Sequence, residues 1–427
     1  MNNVRDFGAV GDGIVKDTAA VQRALDAGGT VVLPRGLYLC GTLYLRSSTV
    51  LHLEEGAVLR ASPDPADYNA DDFCPENRIS VADRASGAHL IIGYRIDSLK
   101  VTGCGTIDGN SRVWINQPDP HPGKYPNYLL PAWRPSQLLF FCCCTNIELE
   151  QITIVDAPYW TCLFLGCDRV AVSNVNICND PMGHNGDGID IDCSSNVTVC
   201  DCKISGSDDC IAVRGCASRL EKNKICERIS IRNCILNTNQ AGIRVGVGDG
   251  LIRACHFSDI IIQRAAFGIV LCPRWYGGRG ADIEQISFER ICIQAERPFN
   301  ITSRIVPNPE AVQCRNFIRS VRFRNVECSC NRSATVTACD GGFICGISFE
   351  NVKMSLDGNE DEPWKIWYDA NISAPAAFYL NQVSCISFKS IKLERTEAGR
   401  RSFPNPVVAC STSEIHGIEE LFFTDSF

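Results

Sequence analysis

The stretch Asn185-Gly186-Asp187-Gly188-Ile189-Asp190-Ile191-Asp192 and another about twenty residues later, Ser207-Asp208-Asp209-Cys210-Ile211-Ala212-Val213-Arg214, hold the densest set of reactive side chains in the chain. Each sets acids before an alternating run in which Ile189, Ile191, Ile211 and Val213 share one parity, as in a strand with one buried face. If the two are successive turns of a coil, Asp187, Asp208 and Asp209 converge. Such a group suits glycoside hydrolysis, in which one carboxyl keeps a proton for the leaving oxygen while others, ionised, activate water. A plainer role is open to the same residues, since Asn-Gly and Asp-Gly are ordinary turn dipeptides. Matching places on neighbouring repeats weigh toward chemistry.

These acids must be positioned by a repeating scaffold, and the chain aligned to itself supplies one. An apolar residue, two mostly polar ones and another apolar residue recur as Leu149–Ile152, Val172–Val175, Val199–Cys202, Ile231–Cys234, Phe257–Ile260, Phe288–Ile291, Phe323–Val326, Phe349–Val352 and Phe388–Ile391, at intervals of 23 to 39 residues. A single such unit cannot bury its apolar face alone, so neighbours must stack. The fold class expected is all-β, a single-stranded right-handed parallel β-helix with a short N-terminal capping helix. Sandwiches and barrels also give many short strands, but without self-similarity at this period. The whole of 1–427 reads as one domain: 1–60 a cap and first coils, 61–135 first coils with long loops, 136–427 regular coils.

Before the repeats, Asp17 is placed to cap a helix over Thr18–Ala27, with Ala20, Val21, Ala24 and Leu25 on one face and Gly28-Gly29 ending it. Such a helix would cover an exposed solenoid end. The irregular segment 109–135 carries Trp114, Tyr125, Tyr128 and Trp133, aromatics that can stack on sugar rings or simply anchor the loop.

With 41 basic and 49 acidic residues and a net charge of −8, the chain has no basic footprint, so no nucleic-acid partner is expected. No apolar run approaches a membrane span of about twenty residues, and residues 1–20 lack a signal-peptide pattern. A cytoplasmic location is expected, although the recognisable domain begins only at about Val4 and a removed leader is compatible with that. The 26 cysteines are scattered without the paired spacing of a zinc site, and most, such as Cys193, Cys210, Cys234 and Cys292, sit at apolar places in alternating runs. They read as small buried hydrophobes in a reducing compartment. No metal or cofactor is expected, and the expected partner is a carbohydrate.

At these residues the sequence resembles glycoside hydrolase family 28, the polygalacturonases and rhamnogalacturonan hydrolases of the pectin lyase-like superfamily. The resemblance runs from residue 4 to about 270 through Asp6–Gly13, Gly105–Gly109, Arg134-Pro135, Ala157–Thr161 and the two acidic stretches. The family's Asn-Thr-Asp appears as Asn185-Gly186-Asp187 and its Asp-Asp pair as Asp208-Asp209. The resemblance implies an inverting hydrolase with Asp209 as general acid and Asp187 and Asp208 as bases, although interacting acids titrate as a group. Two family features are absent. Gly-His-Gly is replaced by Gln240-Ala241-Gly242, and the Arg-Ile-Lys that grips the galacturonate carboxylate falls on Val270-Leu271-Cys272. Arg214, Arg244, Arg274 and Arg279 are candidate replacements, because guanidinium can hold a carboxylate through two parallel hydrogen bonds. His184, Asn185 and Asp190 complete the expected substrate-binding set. Two other readings compete: a polysaccharide lyase or glycosyltransferase-like enzyme on the same scaffold, the lyase caging calcium with Asp187, Asp190, Asp192, Asp208 and Asp209, and a non-catalytic glycan-binding solenoid.

Overall fold

A computed structural model describes residues 1–70, 73–77, 85–121, 126–274, 279–303, 316–338, 341–358 and 376–425. They fall into two compact units, Met1–Ile211 with Arg219–Lys222, and Ala212–Ser218 with Asn223–Phe427. The fold is the right-handed parallel β-helix that the repeats require.

In the first unit the coils build three parallel ladders. One stacks Leu43–Tyr44, Ile91–Tyr94, Leu139–Cys142, Cys162–Leu165 and Ile189–Asp192. The next stacks Thr49–Leu53, Asp97–Gly103, Thr145–Glu150, Asp168–Ser173 and Ser195–Cys200. The third stacks Ala57–Ala61, Thr106–Asp108, Thr153–Val155, Asn176–Cys178 and Lys203–Gly206. The repeat seen in the sequence is this register: Leu149 lies beside Val172 and Val172 beside Val199.

Turning from the first ladder to the second takes two left-handed residues per coil, Arg95 and Ser98, Cys143 and Asn146, Gly166 and Arg169, Cys193 and Asn196. Non-glycine residues adopt that conformation at a cost, least for asparagine. Asparagine recovers some of it by bonding along the stack: the Asn146 amide donates to Asp97 of the preceding coil at 2.7 Å and that of Asn196 to Asp168 at 2.6 Å.

The second unit repeats the scheme with longer strands, among them Leu251–Cys272, Asp282–Thr302, Phe317–Cys330, Phe343–Leu356 and Ser384–Arg395. Phe257, Phe288, Phe323, Phe349 and Phe388 occupy one row in register. Their rings stack with centroids 4.8, 4.9, 5.0 and 5.5 Å apart, so the backbone repeat sets the ring spacing.

The N-terminal helix spans Thr18–Asp26 and buries Ala20, Val21, Ala24 and Leu25 as expected. Asp17 does not cap it. The residue itself is in the right-handed helical region, with φ −89° and ψ 0°, which aims its carboxylate away from the first-turn amides. It accepts instead from Val10 N at 2.7 Å and Gly11 N at 3.0 Å, tying down the glycine-rich turn. No described helix is long and apolar enough to cross a membrane.

Every described cysteine is a free thiol and most are buried, Cys193, Cys210 and Cys234 included. Cys292 departs from expectation and is exposed, because Ile291 and Ile293 take the inward parity of its strand. Burial pushes the Cys162, Cys255 and Cys328 thiols up, away from the reactive thiolate form.

Two stability measurements test this packing. Phe323→Ala should cost about 3–5 kcal/mol in chemical denaturation, whereas Phe343→Ala, 53% exposed, should stay within about 0.5 kcal/mol of the parent. His89 is stacked on Phe140 at 4.4 Å, and its Nδ1 donates to the Gln137 carbonyl at 2.8 Å. Burial lowers its pKa from 6.5 to about 4. Unfolding therefore takes up a proton between these values, so this contribution is complete above about pH 6.5 and is lost as pH falls toward 4. The loss should be on the order of 3 kcal/mol, and His89→Gln should flatten the stability–pH curve there.

Candidate functional site

The acids lie where each coil returns from the third ladder to the first, just ahead of Ile189–Asp192. Backbone bonds fix the coils against one another. Gly188 N donates to the Asp209 carbonyl at 3.0 Å, Ile189 N to the Cys210 carbonyl at 3.0 Å, and Cys162 N to the Gly188 carbonyl at 3.1 Å. One carboxylate oxygen from each of Asp187, Asp208 and Asp209 then lies within 4.8 Å of the other two. The predicted convergence is therefore present within the first unit.

The glycines of the Asn-Gly-Asp-Gly stretch serve this close approach rather than a turn alone. A Cβ on Gly186 would come 2.5 Å from Ser207 Oγ, and one on Gly188 would come 2.5 Å from the Cys210 carbonyl oxygen. Ser207 Oγ accepts from Gly186 N at 3.0 Å. On the other side Thr161 donates twice to the Asp187 carbonyl, from N at 2.9 Å and from Oγ1 at 2.8 Å. Asn179 supports Thr161, donating to its Oγ1 at 2.7 Å. Asp187 is thus held by its own backbone from both neighbouring coils.

Burial sorts the carboxylates. Asp187, Asp190, Asp192 and Asp209 are buried, whereas Asp208 is partly exposed. Asp190 and Asp192 lie beside Leu163 and Leu165 in register. Arg219 approaches Asp192 with Nη1 3.8 Å from Oδ2.

Arg134 was visible in the sequence only as part of the Arg-Pro match, and the structure gives it a larger part. It is fully buried. Its guanidinium donates to the Pro158 carbonyl at 3.0 Å, the His184 carbonyl at 2.8 Å and Asn185 Oδ1 at 2.7 Å, and it lies 4.8 Å from the Tyr159 ring centroid. A rigid fork of donors suits three acceptors at fixed angles. Asn185, left-handed at φ 57°, is thereby locked just before Asp187. His184 Nε2 bonds the Tyr128 carbonyl, so its ring docks the 109–135 segment onto the acidic turn. A charged residue next to a proline carries no sequence signal for such a role.

The aromatic residues of that segment mostly brace it. Trp114 packs edge-on against Trp133 at 4.9 Å, and Trp133 against Tyr68 at 6.0 Å. Arg112 covers the Tyr128 ring at 5.2 Å and pairs with Asp180 at 2.6 Å. Tyr125 lies outside the described residues. A narrow cleft remains, lined by Ser111, Ile115, Tyr128, Asp180, Gly186 and Ser207 among others. Nearby, burial raises the pKa of Asp156, with the Asp108 and Asp180 charges adding to the shift.

In the second unit Arg214, Arg244 and Arg274 are all buried, and Arg244 sits beside Val270 in register. Arg279, its side chain 59% exposed, pairs with Asp282. Ala241, Val270 and Cys272, at the places of the absent histidine and clamp, are buried too.

The support given by Arg134 is open to test by hydrogen exchange. Arg134→Gln should leave the His184 and Pro158 carbonyls without their charged donor and speed exchange of the Gly186–Gly188 amides by about 100-fold. Unchanged protection there would show that Arg134 does not hold the turn.

Comparison with known proteins follows from this geometry. A family model described as Glycosyl hydrolases family 28 matches residues 73–372, and one described as Rhamnogalacturonase A/epimerase, pectate lyase-like matches residues 1–52. A probable polygalacturonase of Vitis vinifera is 30% identical over 220 residues, covering 49% of this chain and 43% of that protein. A probable polygalacturonase of Arabidopsis thaliana is 26% identical over 314 residues, covering 66% and 62%. The match thus spans less than two thirds of either relative. The solved family 28 exopolygalacturonase of Yersinia enterocolitica superposes with a TM-score of 0.73 at 17% identity, covering 97% of this chain and 77% of that one.

Proposed function

The chain belongs to glycosyl hydrolases family 28, and on that premise we propose that it hydrolyses O-glycosidic bonds of a pectic or related plant glycan through Asp187, Asp208 and Asp209. The convergence of their oxygens within 4.8 Å is the observation that carries this reading. Asp209 is assigned as general acid: it gives its proton to the glycosidic oxygen as the bond to the anomeric carbon breaks. Asp187 and Asp208 take a proton from the attacking water as the new carbon–oxygen bond forms. Asp190, buried on the same strand as Asp192, is assigned to substrate binding. Asn185 and His184, anchored by Arg134 and the Tyr128 carbonyl, are assigned to substrate binding from the turn they hold.

The stereochemical outcome is a separate question. Inverting carboxyl pairs generally stand about 6.5–9.5 Å apart and retaining pairs about 5–5.5 Å. The nearest oxygens here lie within 4.8 Å of one another, and the family resemblance implies inversion. Inversion in so tight a cluster requires the water to be gripped by Asp187 and Asp208 together. Nuclear magnetic resonance of the first-formed anomer decides the point: an inverted product supports the acid–base assignment, and a retained one would make an aspartate the nucleophile.

Arg214, Arg244 and Arg274 are carried forward from their sequence positions as carboxylate-binding residues. Each Arg→Gln change should then raise KM for an acidic oligosaccharide more than it lowers kcat.

The primary test is a reducing-end assay over pectic oligosaccharides, with Asp209→Asn beside the parent. Loss of activity by a factor of about 10²–10⁴ in the variant is expected for a general acid. Undiminished hydrolysis by Asp209→Asn refutes the assignment. Chelator-sensitive release of an ultraviolet-absorbing unsaturated product would instead establish the lyase reading, and binding without turnover the non-catalytic one.

A further inference from the structure

Away from the acids, at the first corner of the coil, the first unit gathers a second set of metal-ligating side chains. Glu76, Cys142 and Cys143 each offer a ligand atom within 4.8 Å of the other two. Cys74 lies outside that mutual group but beside it, its side chain hydrogen-bonded to that of Cys142. Cys142 ends the strand Leu139–Cys142. Adjacent strand residues normally point to opposite faces, yet Cys143 is left-handed at φ 53°, which brings both thiols to one side with their sulfurs 3.8 Å apart.

We propose that Cys74, Cys142, Cys143 and Glu76 form a structural site for a thiophilic divalent cation, with Zn²⁺ the best fit. Tetrahedral zinc with Zn–S bonds of about 2.3 Å separates its ligand sulfurs by about 3.8 Å, the spacing between Cys142 and Cys143. Glu76, Cys142 and Cys143 supply one carboxylate and two thiols already in reach of one another, and Cys74, turned in from beside Cys142, would supply the third thiol and close the shell without water, as in structural rather than catalytic sites.

The surroundings suit that role. Glu76 Oε1 accepts from Arg95 at 2.9 Å and Oε2 from the Tyr94 hydroxyl at 3.1 Å. Each carboxylate oxygen retains a second lone pair for a metal, while these two donors fix the orientation of the carboxylate. Binding would release the thiol protons to water, and three thiolates with one carboxylate around a dication leave net negative charge. Arg95, paired also with Glu221 at 3.1 Å, offsets part of it. Glu76 and Cys74 are almost fully buried, so the site lies in a low-dielectric setting that strengthens such bonds.

Glu76 and Cys74 belong to the segment between the ladders' early coils and Ile91, and its later residues meet the chain at Arg134. Ser86 N donates to the Arg134 carbonyl at 3.1 Å and Ser136 N to the Ala88 carbonyl at 2.7 Å. A cation at the corner would pin Cys74 and Glu76 to the strand end at Cys142.

The test is metal titration of the full chain, stripped by chelator under reducing conditions. Zn²⁺ should bind at about one per chain, and Co²⁺ should give the intense thiolate charge-transfer and visible bands of a tetrahedral site. Cys143→Ser, at a half-exposed position, and Cys74→Ser should each weaken Zn²⁺ by more than about 100-fold, and Glu76→Gln by about 10–100-fold. Cys104→Ser, at an exposed cysteine, should change nothing. Absence of Zn²⁺ binding tighter than micromolar in the parent, equal binding in Cys143→Ser, or a Cys74–Cys142 disulfide by mass spectrometry under the same reducing conditions overturns the proposal. Should either cysteine variant fail to fold by circular dichroism, the Co²⁺ spectrum of the parent decides alone.

Discussion

The structure depends on the parallel backbone ladder between coils. Its spacing of about 4.8 Å allows no choice about what lies above what: once Leu149 pairs with Val172, every later position in that coil is placed. Side chains then stack as like on like. That suits a phenylalanine row, in which offset rings favour a separation near the strand spacing, and it suits asparagines at left-handed corners. It is hostile to charge, because an acid repeated one coil later meets another acid.

The carboxylate cluster is this hostility put to use. Asp187 and Asp209 are brought together by Gly188 N bonding the Asp209 carbonyl, a ladder bond like any other. The repulsion it creates is held down by bonds that have nothing to do with the carboxylates themselves: Thr161 to the Asp187 backbone, Ser207 to Gly186, Arg134 to Asn185. Glycine at 186 and 188 lets the coils close to a distance that any larger residue would block. The strain at the acids is thus carried by the scaffold's backbone, and the side chains remain available for chemistry.

Much of this was legible in the sequence, for a physical reason. A register that repeats in space must repeat in the chain, so the nine apolar pairs and the 21-residue step from Asp187 to Asp208 gave both the fold and the convergence. What escaped was whatever depends on a single residue's direction. Asp17 looked like a helix cap and binds the preceding turn instead. Cys292 looked inward and faces out, because an isoleucine on either side holds the core. Arg134 gave no hint of its buried fork, since nothing in Arg-Pro reports which three carbonyl and amide oxygens will surround it. The cysteine corner has no paired spacing in the sequence, because the coil brings Cys74 to Cys142 across a separation of 68 residues.

The same register argument bears on the absent cationic clamp. In the second unit the family's arginine place is Val270, and its lysine place is Cys272. Val270 pairs with Arg244 and Cys272 with Gly246 on the coil before. An arginine one coil away, in the same row, stands about 4.8 Å from the lost one, well within the reach of its own side chain. Arg244 has the parity opposite to Ile243 and Val245, which fill the core. The lysine place has no such substitute, since Gly246 has no side chain at all. The row therefore holds an arginine and no lysine, and a planar guanidinium presents its donors in a fixed fork where an ammonium is a point charge.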